Sequence, residues 1–244
     1  MSRFLLKIAY DGTAYHGWQV QPNGITVQAV LCDALFNMCK SKISVTGCSR
    51  TDAGVHANEF FCHFDTNLDI PETAFVKGLN AILPDDISVL SCNGVSDDFH
   101  ARYSAKGKNY LYRFYDGKTE NPFYRRYALS VQNKLNVDLM NEYCSRMVGT
   151  HDFSGFSSSK RTVTDTVRTI SECKVYRDGD FVVLSVTADG FLYNMVRIIA
   201  GTALQVSLGK INPLDTEKII QSKNRDMAGA TLLPHGLYLN KVIY

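Results

Sequence analysis

One short stretch of the sequence places an acid and a base among unusually small neighbours. Residues 47–57 read GCSRTDAGVHA, with Arg50 and Asp52 two positions apart. Residues two apart in an extended chain face the same side, so we expect the Arg50 guanidinium to lie beside the Asp52 carboxylate and keep it ionised. Such a carboxylate can serve as a nucleophile or general base. The alternative interpretation is a turn in which Asp52 accepts backbone hydrogen bonds.

Residues 102–126 concentrate positive charge and aromatic rings. This window holds seven basic and two acidic residues, a net charge of +5, together with seven aromatic residues. The basic residues are Arg102, Lys106, Lys108, Arg113, Lys118, Arg125 and Arg126, and the aromatic ones are Tyr103, Tyr110, Tyr112, Phe114, Tyr115, Phe123 and Tyr124. Cations neutralise phosphates and flat rings stack on exposed bases, which favours a looped nucleic acid as partner. The pattern also fits a strand with a tyrosine face in the core and solvated lysines opposite.

Motifs for other chemistries are missing from the sequence. It contains no G-x-G-x-x-G, Walker, G-x-S-x-G or H-E-x-x-H motif. The seven cysteines are scattered, without a C-x-x-C pair or zinc spacing, which indicates reduced thiols in a cytoplasmic protein. We therefore expect neither a metal nor an organic cofactor. His56 lies next to the motif, either as a phosphate contact or as a structural histidine.

The composition describes a folded protein. The 244 residues are 45% hydrophobic and 20% charged, with a formal net charge of +2, which excludes disordered, collagen-like and coiled-coil classes. The apolar start MSRFLLKIAYDG is interrupted by Lys7 and predicts a strand rather than a signal peptide. The uncharged run 198–209 is too short to span a bilayer. These features indicate a cytoplasmic protein.

Hydrophobic periodicity predicts the elements that would position these residues. In the first half we expect strands at 4–10, beginning at 43–45, at 59–65 and at 87–92, and helices from 27, capped by Thr26, to about 39 and from 73 to 83. In the second half we expect strands at 110–115, 170–176, 181–187 and 236–244, and helices at 137–148, 195–208 and 213–222. Asp178-Gly179 between two β-rich runs predicts a hairpin.

The order of these elements predicts an α+β protein. Each half follows a split β-α-β, ferredoxin-like pattern, with helices on one face of a mainly antiparallel sheet. No linker rich in Gly, Ser or Pro separates the halves, so we expect them to share one continuous sheet. The N-terminal half, residues 1–101, would carry the Asp52 loop. The C-terminal half would span residues 102–244.

Several motifs together resemble the tRNA pseudouridine synthase A family. The most specific is the run from Arg50 to Ala57, RTDAGVHA. Other matching segments follow in the same order along the chain: AYDGT at 9–13 with Tyr15, Gly17 and Trp18-Gln19, FHARYSA at 99–105, KNYLY at 108–112, Asp152-Phe153, Phe191-Leu192 with Met195-Val196-Arg197, and GLYL at 236–239. The resemblance covers the chain from residue 9 to about 240.

The resemblance implies a pseudouridine synthase fold and a cofactor-free isomerase. Such an enzyme breaks the N1–C1′ bond of uridine, rotates the uracil and rejoins it through C5, at positions 38, 39 and 40 of the tRNA anticodon stem-loop. Asp52 matches the nucleophile, Arg50 the residue that positions RNA in the space of the flipped base, Tyr110 the active-site tyrosine against the uracil, Arg197 the basic partner of the carboxylate, and Leu237 a hydrophobic wall. The family also implies a homodimer with a basic cleft.

The charge pattern agrees with this resemblance. A uridine in a stem must be extruded before it can react, at a cost of a few kcal/mol that aromatic stacking offsets. We expect Lys106, Lys108, Arg125 and Arg126 to contact tRNA phosphates. Two alternatives stay open: a non-catalytic RNA-binding protein, which the carboxylate at position 52 argues against because it would repel RNA, and a pseudouridine synthase with another RNA target. The sequence leaves open whether Asp52 attacks C6 or C1′.

Overall fold

The computed structural model describes residues 1–158 and 163–244 and divides the chain into two compact units. Unit 1 comprises Met1–Lys106 and the returning segment Tyr238–Tyr244, and unit 2 comprises Gly107–Leu237. The halves expected from the sequence, 1–101 and 102–244, differ from these units in residues 102–106 and in the last strand.

Unit 1 contains a sheet built around two long central strands. Its strands are β1 (Ser2–Tyr10), β2 (Thr46–Gly47), β3 (His56–Thr66), β4 (Ile87–Val95) and β10 (Leu237–Ile243). The order is β4-β1-β3-β10, with β2 on β3. All pairings are antiparallel except that of β10 with β3, where Tyr238 lies opposite His56. The sheet therefore brings the last strand beside the start of β3, directly after residues 50–55 of the RTDAGVHA motif.

Two helices accompany this sheet, α1 (Val27–Cys39) and α2 (Glu72–Asn80). The predicted cap of α1 is confirmed, since the Thr26 hydroxyl accepts a hydrogen bond from the Ala29 N–H at 3.3 Å. Helix α2 is shorter than predicted. The Asn80 side chain forms two hydrogen bonds with the main chain of Val89, at 2.8 and 2.9 Å, and so ties the end of the helix to β4.

The strands of unit 2 pair mainly in antiparallel fashion. These strands are β5 (Gly107–Tyr115), β6 (Leu129–Ser130), β7 (Gly149–Asp152), β8 (Val167–Asp178) and β9 (Phe181–Ala188). The order is β5-β9-β8-β7, and the short β6 pairs in parallel with β5. The predicted hairpin is confirmed: Asp178 pairs with Phe181, and Gly179 has a φ of +56° in the turn between them.

The helices of unit 2 are α3 (Val137–Ser145), α4 (Met195–Ser207) and α5 (Thr216–Ser222). Helix α4 ends before Gly209, which has a φ of +71°, as the sequence predicts. Helix α3 ends at Ser145, three residues earlier than predicted. Gly149, with a φ of +125°, then starts β7, a strand that the sequence analysis missed.

The α+β class predicted from the sequence is confirmed in both units. Another expectation is wrong in detail: the strand expected to begin at 43–45 is only the two-residue β2 at Thr46–Gly47. Among the described residues, no helix is long and apolar enough to cross a membrane.

Candidate active site

The signature residues lie in the loop between β2 and β3, residues 48–55, which we call the signature loop. The loop begins where the Cys48 N–H donates to the Phe61 carbonyl at 2.8 Å. It ends with a turn at Ala53-Gly54, closed by a 3.2 Å hydrogen bond from the Val55 N–H to the main-chain carbonyl of Asp52. Residues 50 and 52 belong to no strand, because β2 ends at Gly47 and the loop turns at Ala53-Gly54 before β3 begins. The side-by-side arrangement of Arg50 and Asp52 stays a prediction.

A second segment of unit 1, residues 15–18, holds the signature loop from one side. The Trp18 N–H donates to the Thr51 carbonyl at 3.1 Å, and the Gly54 N–H donates to the Tyr15 carbonyl at 3.2 Å. Thr51 is itself buried, and its hydroxyl lies 2.8 Å from the Tyr10 hydroxyl. Thr51 is thus the inward anchor of the loop. Arg50 and Ala53 are exposed, and Asp52 is half-buried between them.

Close approach of the two segments requires glycine at position 17. Gly17 has a φ of +83°, a conformation that other residues rarely adopt. A Cβ at this position would lie 2.4 Å from the Thr51 carbonyl oxygen and 3.0 Å from the carbonyl carbon of Asp52. The next residue, Trp18, is buried and stacks on Phe60 with ring centroids 4.1 Å apart. Main-chain contacts and core packing together fix the main chain of the signature loop around Asp52.

His56 is a structural residue at the foot of the signature loop. It is buried, and its ring stacks on Tyr238 at 4.7 Å. Its Nδ1 accepts a hydrogen bond from the Gly12 N–H at 3.1 Å and lies equally far from an Asp11 carboxylate oxygen. Nδ1 cannot accept the first contact and donate to the second at once, and the buried N–H needs its acceptor more. These contacts join the start of β3 to the end of β1.

Tyr110 lies on β5 in unit 2, opposite Val186 of β9. It shares a face of the strand with Tyr112 and Phe114, which are buried. Tyr110 is only 7% exposed, and its ring meets that of Phe191 edge-on at 5.0 Å. The tyrosine face therefore belongs to the core, as the structural alternative predicted, and the rotamer of Tyr110 is set by packing.

Arg197 lies on the first turn of α4, with its side chain half-buried. Its Nε donates to the Leu232 carbonyl at 2.6 Å, and an Nη donates to the Asn194 side-chain oxygen at 2.7 Å. The Leu232 N–H donates in turn to the Arg197 carbonyl at 3.4 Å. The guanidinium is thus held by its own helix terminus and by a segment 35 residues later. Sequence reasoning found Arg197 but neither of these partners.

Leu237 is buried at the start of β10, immediately after Gly236. A Cβ on Gly236 would lie 2.9 Å from both the Arg113 carbonyl oxygen and the Tyr112 ring. The Tyr112 hydroxyl donates to the Leu233 carbonyl at 2.8 Å. The segment before β10 therefore packs directly on the tyrosine strand, and this fixes the position of Leu237.

The four predicted phosphate-binding residues fall in different places. Lys106 is exposed and is the last residue of the segment Met1–Lys106 of unit 1. Lys108 is half-buried on β5 of unit 2. Arg125 and Arg126 are both exposed in the turn at residues 121–128, which we call the basic turn. Of the four, Arg125 and Arg126 lie together, because they are consecutive residues of the basic turn.

The basic turn is fastened to the β8–β9 hairpin by one tyrosine. The Tyr124 hydroxyl donates to an Asp180 carboxylate oxygen at 3.1 Å, and its ring lies 4.7 Å from that of Phe181. The preceding residue, Phe123, is 81% exposed. Exposed aromatic and basic side chains on one anchored turn suit stacking on a base and contact with a phosphate.

Two other carboxylates, those of Asp116 and Asp152, form structural ion pairs. Burial alone would raise the pKa of Asp116, but hydrogen bonds from Arg177, the Leu135 N–H and Lys134 hold that pKa well below its usual range. Hydrogen bonds from Lys223 and Thr166 likewise lower the pKa of Asp152. Both carboxylates are fixed by their cations as structural ion pairs within unit 2.

Cys62 and Cys92 are poorly suited to act as nucleophiles. All seven cysteines are free thiols. Burial raises the pKa of Cys62 well above its usual value, and burial, with Glu72 nearby, raises the pKa of Cys92 to about 12. A protonated, buried thiol is a poor nucleophile. Within residues 1–158 and 163–244, no group of three or more His, Cys, Asp or Glu side chains could hold a metal ion.

Comparison with known proteins shows the class to which this chain belongs. The model of the tRNA pseudouridine synthase family matches residues 7–104 and 143–244. The tRNA pseudouridine synthase A of Exiguobacterium sp. AT1b is 47% identical over 244 residues, covering 100% of this chain and 98% of that protein. The enzyme of the same name from Bacillus licheniformis is 48% identical, covering 99% of each chain.

A third relative, tRNA pseudouridine synthase A of Thermoanaerobacter sp. X514, is 44% identical over the full length of both chains. The chain therefore belongs to the tRNA pseudouridine synthase family. It is an isomerase that converts uridine to pseudouridine in tRNA. The resemblance carried by the signature loop and its flanking motifs is confirmed.

Proposed function

We propose that this synthase modifies uridines 38, 39 and/or 40 in the anticodon stem-loop of tRNA, with Asp52 as the nucleophile. The observation that carries the proposal is the signature loop itself. Its anchor, Thr51, is buried and hydrogen-bonded, whereas Asp52 is half-buried and followed by Ala53 and Gly54. A carboxylate on such a loop has a fixed position, and its small neighbours leave room for a nucleoside.

The reaction needs only a nucleophile and proton transfer. The N1–C1′ bond breaks, a C5–C1′ bond forms, and the proton lost from C5 is balanced by one gained at N1. The Asp52 carboxylate adds to C6 of the uracil or C1′ of the ribose and is released again in the second half of the reaction. No atom is gained or lost overall, so the proposal includes no cofactor.

The proposal also gives catalytic roles to two residues of unit 2. Arg197 is the basic partner that keeps the catalytic carboxylate ionised. Its guanidinium is supported for this role by the contacts to Leu232 and Asn194, which restrict its orientation. Tyr110 lies against the uracil, and the edge-on packing of its ring on Phe191 supports a fixed surface for the base.

The proposal also gives substrate-binding roles to Leu237 and Arg50. Leu237 forms a hydrophobic wall, in keeping with its burial at the start of β10. Arg50 occupies the space left by the extruded base and positions the RNA. Its exposed place on the signature loop, two residues before Asp52, suits that role.

Phosphate contacts in the proposal come from Lys106, Lys108, Arg125 and Arg126. Extruding a uridine from a stem costs a few kcal/mol, which contacts elsewhere on the RNA must offset. The basic turn is the best supported of these contacts, because Tyr124 fastens it and Phe123 is exposed beside the two arginines. We further propose that the enzyme acts as a homodimer in the cytoplasm.

Mapping of pseudouridine in tRNA tests the proposed targets. Total tRNA from cells with and without the gene for this chain is compared at nucleotide resolution, and the purified enzyme is added back to the tRNA that lacks the modification. We expect pseudouridine at 38, 39 or 40 to be lost with the gene and restored by the enzyme. Loss confined to other tRNA positions would contradict the assignment.

A further inference from the structure

Asn194, at the entry to helix α4, has an unusual conformation for its position. Its backbone is left-handed, with φ +63° and ψ 7°. A residue at a helix N-cap ordinarily has extended angles, and its side chain accepts a hydrogen bond from the second or third helical N–H. The Asn194 side chain forms no such cap. The helix therefore lacks a side-chain cap, and its entry has a backbone conformation that residues other than glycine adopt only at a cost.

The Asn194 side chain is instead used to hold Arg197. Its Oδ1 accepts a hydrogen bond from an Arg197 Nη at 2.7 Å, and its Nδ2 donates to the Ser158 hydroxyl at 2.9 Å. The guanidinium contact fixes which way the amide faces, because a guanidinium has only donors and therefore needs the amide oxygen. The amide nitrogen is then left to donate to the Ser158 hydroxyl. Asn194 lies three residues before Arg197, a spacing that places the two side chains on the same side of the helix start.

A second contact holds the same guanidinium from another direction. The Leu232 carbonyl accepts from Arg197 Nε at 2.6 Å, while the next carbonyl, that of Leu233, accepts from the Tyr112 hydroxyl at 2.8 Å. Burial raises the pKa of Tyr112, and the positive charge of Arg197 acts to lower it, so the two groups interact electrostatically. With Leu232 and Asn194 engaged, two of the five guanidinium donors fix the plane of the group.

We propose that Asn194 is a positioning residue for pseudouridine formation: it fixes the Arg197 guanidinium in the orientation that the reaction requires, and the strained helix entry is retained for that purpose. This inference rests on the catalytic role proposed for Arg197. It predicts that Asn194 affects turnover only through Arg197. It also predicts little effect on tRNA affinity, because Asn194 has no contact with RNA in this account.

A double-mutant cycle tests the proposal on the full-length enzyme. The four proteins are wild type, Asn194→Gly, Arg197→Met and the double variant, each assayed by single-turnover pseudouridine formation and by tRNA binding. Glycine is chosen because it accepts the left-handed conformation and removes only the amide. We expect Asn194→Gly to lower kcat about tenfold with KM changed less than twofold. In the Arg197→Met background, we expect no further loss.

Controls separate positioning from folding. Lys40→Gly places glycine at another left-handed residue, the exposed C-cap of α1 with a φ of +53°, and should leave kcat unchanged. Ser158→Ala is a milder second variant that leaves Asn194 in place and removes its other partner, and we expect a two- to threefold loss of kcat. The melting temperature of each variant is measured alongside.

Each result decides between the accounts. Wild-type kcat in Asn194→Gly, with Arg197→Met strongly impaired, would overturn the positioning role and leave the role of Arg197 intact. An equal fold-loss in both backgrounds would show a merely structural contribution and would also overturn it. Wild-type kcat in Arg197→Met would overturn the catalytic role proposed for Arg197, and the positioning role with it.

Discussion

The signature loop of unit 1 and the start of α4 in unit 2 hold their functional side chains in different ways. Asp52 is positioned by its main chain, through hydrogen bonds from Trp18 and Gly54 and the close approach of Gly17. Arg197 is positioned by its side chain, through Leu232 and Asn194. The aspartate side chain is short, so its main chain largely determines where the carboxylate lies. The arginine side chain is long, so its guanidinium needs hydrogen bonds of its own to be held in one position.

This difference predicts that backbone changes are most damaging at the signature loop. We expect Gly17→Ala to lower kcat by roughly two orders of magnitude, because the new Cβ would collide with the Thr51 carbonyl and shift Asp52, and a displacement of about 1 Å can cost that much. Single-turnover assays on the folded variant provide the measurement. Gly179→Ala is the matched control, since Gly179 also has positive φ but nothing within 4 Å of its Cβ position. Unchanged kcat in Gly17→Ala would show that the segment 15–18 does not position Asp52.

We expect the ion pairs of unit 2 to contribute to the stability of the fold and not to the catalytic rate. We expect Asp116→Asn to lower the free energy of unfolding by about 2 kcal/mol, less than for a fully buried pair, because Lys134 and Arg177 are 71% and 38% exposed and regain water. Denaturant unfolding measures this loss, while kcat per folded enzyme should be unchanged.

The ion pairs of Asp116 also make the free energy of unfolding depend on pH. The folded-state pKa of Asp116 lies below the unfolded value of about 4, so its contribution is complete above pH 5 and is lost as the pH falls below that value. The difference in stability between wild type and Asp116→Asn should therefore shrink on acidification. A constant difference from pH 7 to pH 3 would be inconsistent with this assignment.

The basic turn should contribute affinity without turnover. We expect Arg125→Glu or Arg126→Glu to weaken tRNA binding several-fold and to reduce the salt dependence of log K by about one, since each phosphate contact releases roughly one counterion. Titrations at several salt concentrations test this. Lys210→Glu changes the net charge equally at an exposed site outside the turn and serves as control. An unchanged slope in both turn variants would remove the turn from the RNA interface.

The features predicted well from the sequence depend on neighbouring residues. The Thr26 cap, the Asp178-Gly179 hairpin and the Gly209 stop are local signals, and the structure contains all three. The signature loop was recognised because rare residue types follow one another in it. The features that could not be predicted from the sequence, such as the end of α2 and the strand β7, depend on tertiary contacts. Asn80 ends α2 by bonding to β4, and β7 exists because β8 pairs with it.

The supports of Arg197 show the same limit at the candidate site. Asn194 is three residues away, a spacing that places it on the same side of a helix, but its left-handed backbone and its bond to Ser158 leave no trace in the residue pattern. Leu232 acts through a carbonyl oxygen, which any residue would supply. Main-chain acceptors cannot be identified from residue type, and this is why the sequence indicated Arg197 without its environment.

The role of Asp52 is tested most directly by Asp52→Asn, which keeps the size of the side chain and removes its negative charge. Pseudouridine formation, tRNA affinity and melting temperature are measured on the same preparation. We expect turnover to fall by several orders of magnitude while the fold is retained and binding is equal or tighter, because one charge that repels phosphate is gone. Residual turnover within about tenfold of wild type, roughly 1.4 kcal/mol of barrier, would contradict Asp52 as the nucleophile.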